Sequence, residues 1–142
     1  GGSASDSQHL AAELVGKYKF VRKPLKSISL TADTSVLTCL SNDFGYENLF
    51  SRQIEALGKN GDILVVLSTS GESKNIIKAV KSARNNKLTT VGLLGGKKNK
   101  CKELVDYSFS IPSLDTGRIQ EIHIIIGHII CDLIEKKLIN AN

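Results

Sequence analysis

A parallel β-sheet covered by α-helices is the architecture this sequence predicts, on three observations. Residues 63–67, Ile-Leu-Val-Val-Leu, form a continuous apolar run between Asn60-Gly61-Asp62 and a Ser/Gly turn. A run of that kind suits a strand buried on both faces. Residues 90–94, Thr-Val-Gly-Leu-Leu, repeat the pattern, and between the two runs Ile76, Ile77, Val80 and Ala83 recur at helical spacing. Residues 74–85 therefore read as an amphipathic helix crossing between two strands. Such crossovers join parallel strands, so the class is α/β.

The other elements follow in chain order. An N-terminal helix is predicted over residues 5–18, a short strand over 28–30, and a second helix over Leu49–Leu57. After the central unit, residues 107–111 read as a further strand. Beyond Pro112 the segment 118–139 reads as a long apolar helix with polar residues at selected positions only. We find no internal repeat, low-complexity tract or linker, so the 142 residues are read as one domain. The chain opens at Gly1-Gly2-Ser3 directly before a helix, with nothing upstream to supply a first strand. That start reads either as a cloning scar or as a chain cut inside a glycine-rich turn.

Composition narrows the class further. At 41% hydrophobic and 23% charged residues the chain is an ordinary globular one. A chain of this size buries roughly two thirds of its unfolded surface, so it needs no disulfide or metal staple. Any metal would therefore serve chemistry. Cys39, Cys101 and Cys131 are odd in number, widely spaced and form no CxxC pair, so neither a disulfide framework nor a structural zinc site is indicated, and a reducing cytoplasm fits best. The most apolar stretch, 122–134, is interrupted by His123, Gly127, His128 and Asp132, so no membrane span is expected. The net charge of +5 suits an anionic partner. The densest basic run, Lys97-Lys98-Asn99-Lys100-Cys101-Lys102, holds no aromatic residue for a base to stack on, so it reads as a solvated loop rather than a nucleic-acid patch.

Two features carry chemistry. The turn Ser68-Thr69-Ser70-Gly71-Glu72-Ser73 joins a strand to a helix and sets hydroxyls and free N–H groups at a helix N-terminus, which favours a phosphate. It lacks the GxxxxGK[ST] pattern of a nucleoside-triphosphate loop, and the competing reading is a plain N-capping turn. Its place at the carboxyl end of a parallel strand favours a ligand. The second feature is a set of polar residues on helices. His9 and Glu13 stand at i and i+4, about 6 Å apart along one helix face, a spacing able to hold one metal. Gln120, Glu121, His123 and His128 interrupt the apolar last helix, where buried polar groups need a hydrogen bond or a function. His9, Glu13 and His128 together make an acid/base or zinc set.

Four stretches in this order resemble one known family: residues 1–14 (Gly-Gly-Ser-Ala-Ser-Asp-Ser-Gln-His-Leu-Ala-Ala-Glu-Leu), Asn42-Asp43-Phe44-Gly45-Tyr46, Ser68-Thr69-Ser70-Gly71, and Arg118-Ile119-Gln120-Glu121-Ile122-His123. The family is that of the phosphoheptose isomerases, within the sugar isomerase (SIS) domain group. The resemblance implies a single SIS domain, a three-layer αβα sandwich, with the N-terminal helix and first strand missing, so that the chain is N-terminally truncated. It implies conversion of sedoheptulose 7-phosphate into glycero-manno-heptose 7-phosphate for lipopolysaccharide or related glycans, by a cytoplasmic homotetramer with zinc and with active sites at subunit interfaces. Carried over by motif, His9, Glu13, Gln120 and His128 are metal ligands, with Glu13 and His128 the acid/base pair. Gly1, Gly2, Ser3, Glu13, Asn42, Asp43, Ser68, Thr69, Ser70, Ser73 and Gln120 line the substrate site. Glu72 stands where the family has Asn and is expected to face solvent, since it would repel a phosphate. Lys17 replaces an Arg, keeping the charge without the bidentate fork. A non-catalytic SIS-domain protein that binds the bacterial replication initiator, or a sugar-phosphate sensor, are the competing functions.

Helix geometry adds one expectation. Gln120 and His128 are eight residues apart, about 12 Å along a straight helix axis, too far to converge easily on one ion. Either the helix bends or the site is shared, and at least one of His9, Glu13, Gln120 and His128 is expected to come from a second subunit.

Overall fold

The computed structural model describes residues 1–96 and 99–140. Its centre is a three-stranded parallel sheet in the order β1 (Ile63–Ser68), β2 (Thr89–Gly95), β3 (Tyr107–Ile111). Ile63 pairs with Thr89 and Ser68 with Leu94, while Val91 pairs with Tyr107 and Gly95 with Ile111. The crossover helix α4 spans Lys74–Asn85, within the predicted bounds.

Alternation along the strands sorts the helices into two layers. Val66 and Leu94 pack with Val80 of α4 and with Cys101, while Ile54 of α3 (Leu49–Leu57) packs with Ala79, Ala83 and Leu88. The opposite face meets the N-terminal helix α1 (Gly2–Val15) and the long C-terminal helix α6 (Thr116–Asn140). A side chain at Gly95 would collide with Ile119 of α6, at 2.6 Å, so the missing Cβ lets the helix lie close on the sheet. Buried residues on α6 fall at Ile119, His123, Gly127, Cys131 and Glu135, a ridge at steps of four. Opposite this ridge, Ile122, Ile125, Ile129 and Leu133 are exposed. No described helix is long and apolar enough to cross a membrane.

Several boundaries differ from those predicted. The first helix starts three residues earlier and ends at Val15 rather than at residue 18. Beyond Gly16 the backbone N–H groups of Tyr18, Lys19 and Phe20 bond to Glu135 and are lost to the helix. Residues 28–30 are not a strand: Ile28 is exposed and no described strand lies beside them to share a ladder. A helix over Thr34–Phe44, α2, was not predicted, although Asp33 caps it by accepting from the Val36 N–H at 3.0 Å and Gly45 ends it at φ 82°. Within the basic run, Lys100–Leu104 form a short helix, α5, capped by Asn99, which accepts from the Lys102 N–H at 2.7 Å. Lys97 and Lys98 lie outside the described residues. The last helix begins at Thr116, two residues early, because Asp115 accepts from the Arg118 N–H.

Candidate active site

One turn of α1 sets His9 and Glu13 on the same face, and their Nε2 and Oε1 atoms lie 3.1 Å apart. Packing of α1 on α6 brings His128 to them, so that one ligand atom from each of the three residues lies within 4.8 Å of the others. The His9 and His128 rings meet edge to face at 5.1 Å. Nε2 of His128 is buried and has no hydrogen-bond partner among the described residues. Two imidazoles, one of them with an unpaired buried nitrogen, and a carboxylate are a three-donor set of the kind that can hold a metal ion such as zinc. The residues present fit the metal.

The packing of α1 against α6, invisible to helix arithmetic, brings these three side chains together within one chain. Gln120 lies further toward the start of α6, against the first turn of α1. A Cβ on Gly2 would sit 2.5 Å from Gln120 Oε1, so the glycine leaves room for that amide. Gly1 caps α1 and its carbonyl accepts from the Ala4 and Ser5 N–H groups, at 3.0 and 3.2 Å. Ser3 follows within the first turn and is half-buried.

The hydroxyl-rich turn opens at the end of β1. Gly71 takes φ 65°, which L-residues other than glycine rarely adopt. Ser68 Oγ accepts from the Gly71 N–H at 3.0 Å and Ser70 Oγ from the Glu72 N–H at 3.2 Å, which leaves both hydroxyl protons free to donate. Ser73 stands at the N-cap of α4 without making a side-chain cap bond, so the plain capping reading does not account for it. Thr69 and Ser70 border a hollow of about 600 Å³ that extends to Ser113 and Thr116 at the start of α6. Ser73 borders another, of about 500 Å³, with Tyr46 and Lys74. Volumes of this order accommodate small ligands. Glu72 is half exposed and turned toward α5, its Oε1 accepting from the Lys100 N–H at 2.8 Å, rather than standing free in solvent.

Asn42 and Asp43 occupy the last turn of the helix Thr34–Phe44, both exposed. The Asn42 amide donates to Asp43 at 2.8 Å, and no hydrogen bond among the described residues ties them to the turn. Glu121, expected at a buried position, is a surface residue paired with Arg118 at 2.7 Å, because it points away from the buried ridge of α6. His123 is fully buried with neither ring nitrogen hydrogen-bonded in good geometry. Burial pulls its pKa down, opposed by the Leu94 backbone and by Asp6. Burial likewise pushes the Asp6 carboxyl up, with His123 and His9 opposing.

Tyr18 and Glu135 were missed by the sequence reading. Tyr18 stacks on His128 with ring centroids 5.2 Å apart and planes at 22°. Glu135 is completely buried, and that burial raises its carboxyl pKa. Bonds from the Lys19, Tyr18 and Phe20 N–H groups, with Arg22 beside it, outweigh that effect and hold it at about 2. The available signal was a charged residue on an apolar ridge at steps of four, which demands a partner elsewhere in the chain.

Comparison with known proteins bears on the same surface. The sequence pattern of the SIS domain matches residues 1–95. A phosphoheptose isomerase of Sulfurimonas denitrificans is 54% identical over 138 residues, 97% of this chain and 71% of that protein. One from Helicobacter pylori is 52% identical over 142 residues, 100% of this chain and 74% of that protein. The solved phosphoheptose isomerase of Francisella tularensis superposes with a TM-score of 0.91 at 34% identity, covering 96% of this chain and 73% of that one. That of Neisseria gonorrhoeae gives 0.89 at 42%, covering 96% and 72%.

Proposed function

The chain belongs to the phosphoheptose isomerase family of SIS-domain proteins, and from that premise we infer that it interconverts sedoheptulose 7-phosphate and D-glycero-D-manno-heptose 7-phosphate in heptose biosynthesis. The observation that carries the reading is the convergence of His9, Glu13 and His128 on one point of a fold that also bears a serine-rich turn at a strand end.

The reaction moves one proton from C1 to C2 and a second between the two oxygens, through an enediolate. Glu13 takes the proton from C1 as a carboxylate and returns it to C2. His128 takes the O1 proton and delivers one to O2, while the electron pair left at C1 passes through the enediolate to C2, so that C1 is oxidised as C2 is reduced and no outside redox partner is needed. The pairing of a carboxylate base with an imidazole for aldose–ketose chemistry has a precedent in triosephosphate isomerase. His9, held to Glu13 at 3.1 Å, orients that carboxylate. Ser68, Thr69, Ser70 and Ser73, with the free N–H groups of α4, bind the phosphate, while Gly1, Gly2, Ser3, Asn42, Asp43 and Gln120 line the rest of the sugar. A zinc ion held by His9, Glu13 and His128, with Gln120 as a further ligand, would supply Lewis-acid polarisation of the substrate oxygens.

We further read residues 1–142 as a single SIS domain that works in the cytoplasm as a homotetramer, with active sites at subunit interfaces. The exposed row Ile122, Ile125, Ile129 and Leu133 supports this, since a stripe of that length on one helix is normally covered. Heptose for lipopolysaccharide or a related glycan is the proposed destination of the product.

Incubating the protein with sedoheptulose 7-phosphate, with and without a chelator, tests the reading. Turnover that a chelator removes and zinc restores is expected, and Glu13→Gln should be inactive yet folded. Binding without turnover would move the assignment to a sensor.

A further inference from the structure

We propose that Tyr18 is a positioning residue for His128, docked in place by the buried carboxylate of Glu135. The proposal rests on the isomerase reading above. Tyr18 lies in the loop that leaves α1, far from His128 in sequence, and its ring lies nearly parallel to the imidazole at a centroid distance of 5.2 Å. The edge of His9 meets the same imidazole at 5.1 Å and 78°. His128 is thus held between a stacked ring and a perpendicular one. Nothing else described restrains it by a hydrogen bond at Nε2.

The loop that carries Tyr18 is fastened at its backbone. Glu135, two turns beyond His128 on α6, accepts from the Tyr18 N–H at 2.8 Å through Oε1, and from the Lys19 and Phe20 N–H groups at 2.8 and 3.0 Å through Oε2. Three successive backbone donors converging on one buried carboxylate leave the loop little freedom. Arg22 Nε approaches the same carboxylate at 3.1 Å, and its two Nη atoms donate to the carbonyls of Leu14 at 2.9 Å and Glu13 at 2.8 Å. One carboxylate on α6 therefore fastens the end of α1 that carries Glu13 and, through Tyr18, the ring of His128. Lys19 adds a tether from outside. Its Nζ sits 5.0 Å from the Tyr18 ring centroid and donates to Asp132 at 3.0 Å.

The chemical need is plain. An imidazole that passes a proton between two substrate oxygens must keep its ring plane fixed, because misplacement of a reacting group by an ångström lowers the rate steeply. Stacking provides that restraint without occupying either ring nitrogen. It depends on the aromatic face and not on the Tyr18 hydroxyl, so phenylalanine should replace tyrosine here.

The test compares Tyr18→Leu and Tyr18→Phe with the parent protein. The chain has 3 histidines, so its imidazole resonances can be assigned by substitution. In the parent and in Tyr18→Phe, the His128 ring protons should be shifted upfield by the stacked ring. Tyr18→Leu should abolish the shift. For isomerisation of sedoheptulose 7-phosphate, Tyr18→Leu should lower kcat by up to about tenfold with KM within about twofold, since an aromatic contact of this kind supplies at most about that factor. Tyr18→Phe should restore kcat. An unshifted His128 in the parent, or full kcat in Tyr18→Leu, overturns the positioning role. A parent protein that shows the shift but no turnover overturns the isomerase reading, and the role with it, while leaving the stack itself observed.

Discussion

Replacing Gly71 by alanine asks how rigidly the hydroxyl-rich turn is built. Gly71 has φ 65°, and a Cβ there would lie 2.1 Å from Asn99 Cβ and 2.4 Å from its Cγ. Placing an L-residue in this left-handed region costs about 1–2 kcal/mol. The overlap falls on an atom fixed next to the backbone rather than on a flexible tip, and forcing such contacts costs about 1–3 kcal/mol more. Asn99 cannot yield freely: its amide donates to the Gly95 carbonyl at 3.2 Å and its oxygen caps α5. Gly71→Ala should therefore destabilise the protein by roughly 2–5 kcal/mol. Gly61→Ala is the control. Gly61 has φ 91° with no atom within 4 Å of the added Cβ, so only the backbone cost of about 1–2 kcal/mol applies. Urea unfolding followed by circular dichroism measures both, and the KM for sedoheptulose 7-phosphate reports whether the turn has moved. Equal destabilisation by the two substitutions would show that Asn99 gives way at no cost and would refute the rigid turn.

The remaining predictions use simpler perturbations. Gly2→Ala should leave unfolding nearly unchanged but lower kcat/KM, because the new methyl group displaces only the flexible end of Gln120; unaltered kinetics would remove Gln120 from the site. Ser70→Ala combined with Ser73→Ala should chiefly raise KM, as much of the phosphate binding is common to ground and transition states, and an unchanged KM would move the phosphate elsewhere. On acidification, stability should decline in two stages. The His123 pKa is lowered in the fold, so the unfolded chain binds a proton first as pH drops below the ordinary histidine value of 6.5. Glu135 is depressed from 4.5 to about 2, so the stability it contributes is complete above 4.5 and is lost as pH falls toward 2. A chain that grows more stable between pH 4.5 and 2 would contradict the buried carboxylate arrangement.

Local pattern was enough for the central elements. Apolar runs bounded by turn residues marked β1 and β2, helical periodicity marked α4, and the further short strand and helix read at 107–111 and Leu49–Leu57 are β3 and α3 at those bounds. The i, i+4 placement of His9 and Glu13 followed from helix geometry and survives as a 3.1 Å contact. Where local pattern failed, a distant contact decided the outcome. Residues 28–30 have strand-like composition, but a strand exists only when a neighbour completes its ladder, and none is described beside them. The end of α1 was misplaced because Glu135, 117 residues further on, takes the Tyr18 N–H.

The sequence by itself determined the α/β class, the serine-rich turn at the end of β1, and the residues that resemble those of the phosphoheptose isomerases. Periodicity and turn chemistry are short-range properties, and each can be read within a window of a dozen residues. Only the tertiary structure decided that His9, Glu13 and His128 meet within one chain, and that Tyr18 and Glu135 stand behind them. These contacts arise from the packing of α1 and α6 side by side on one face of the sheet. That packing is set by the volumes and polar pairings of residues more than a hundred positions apart, which no local spacing records.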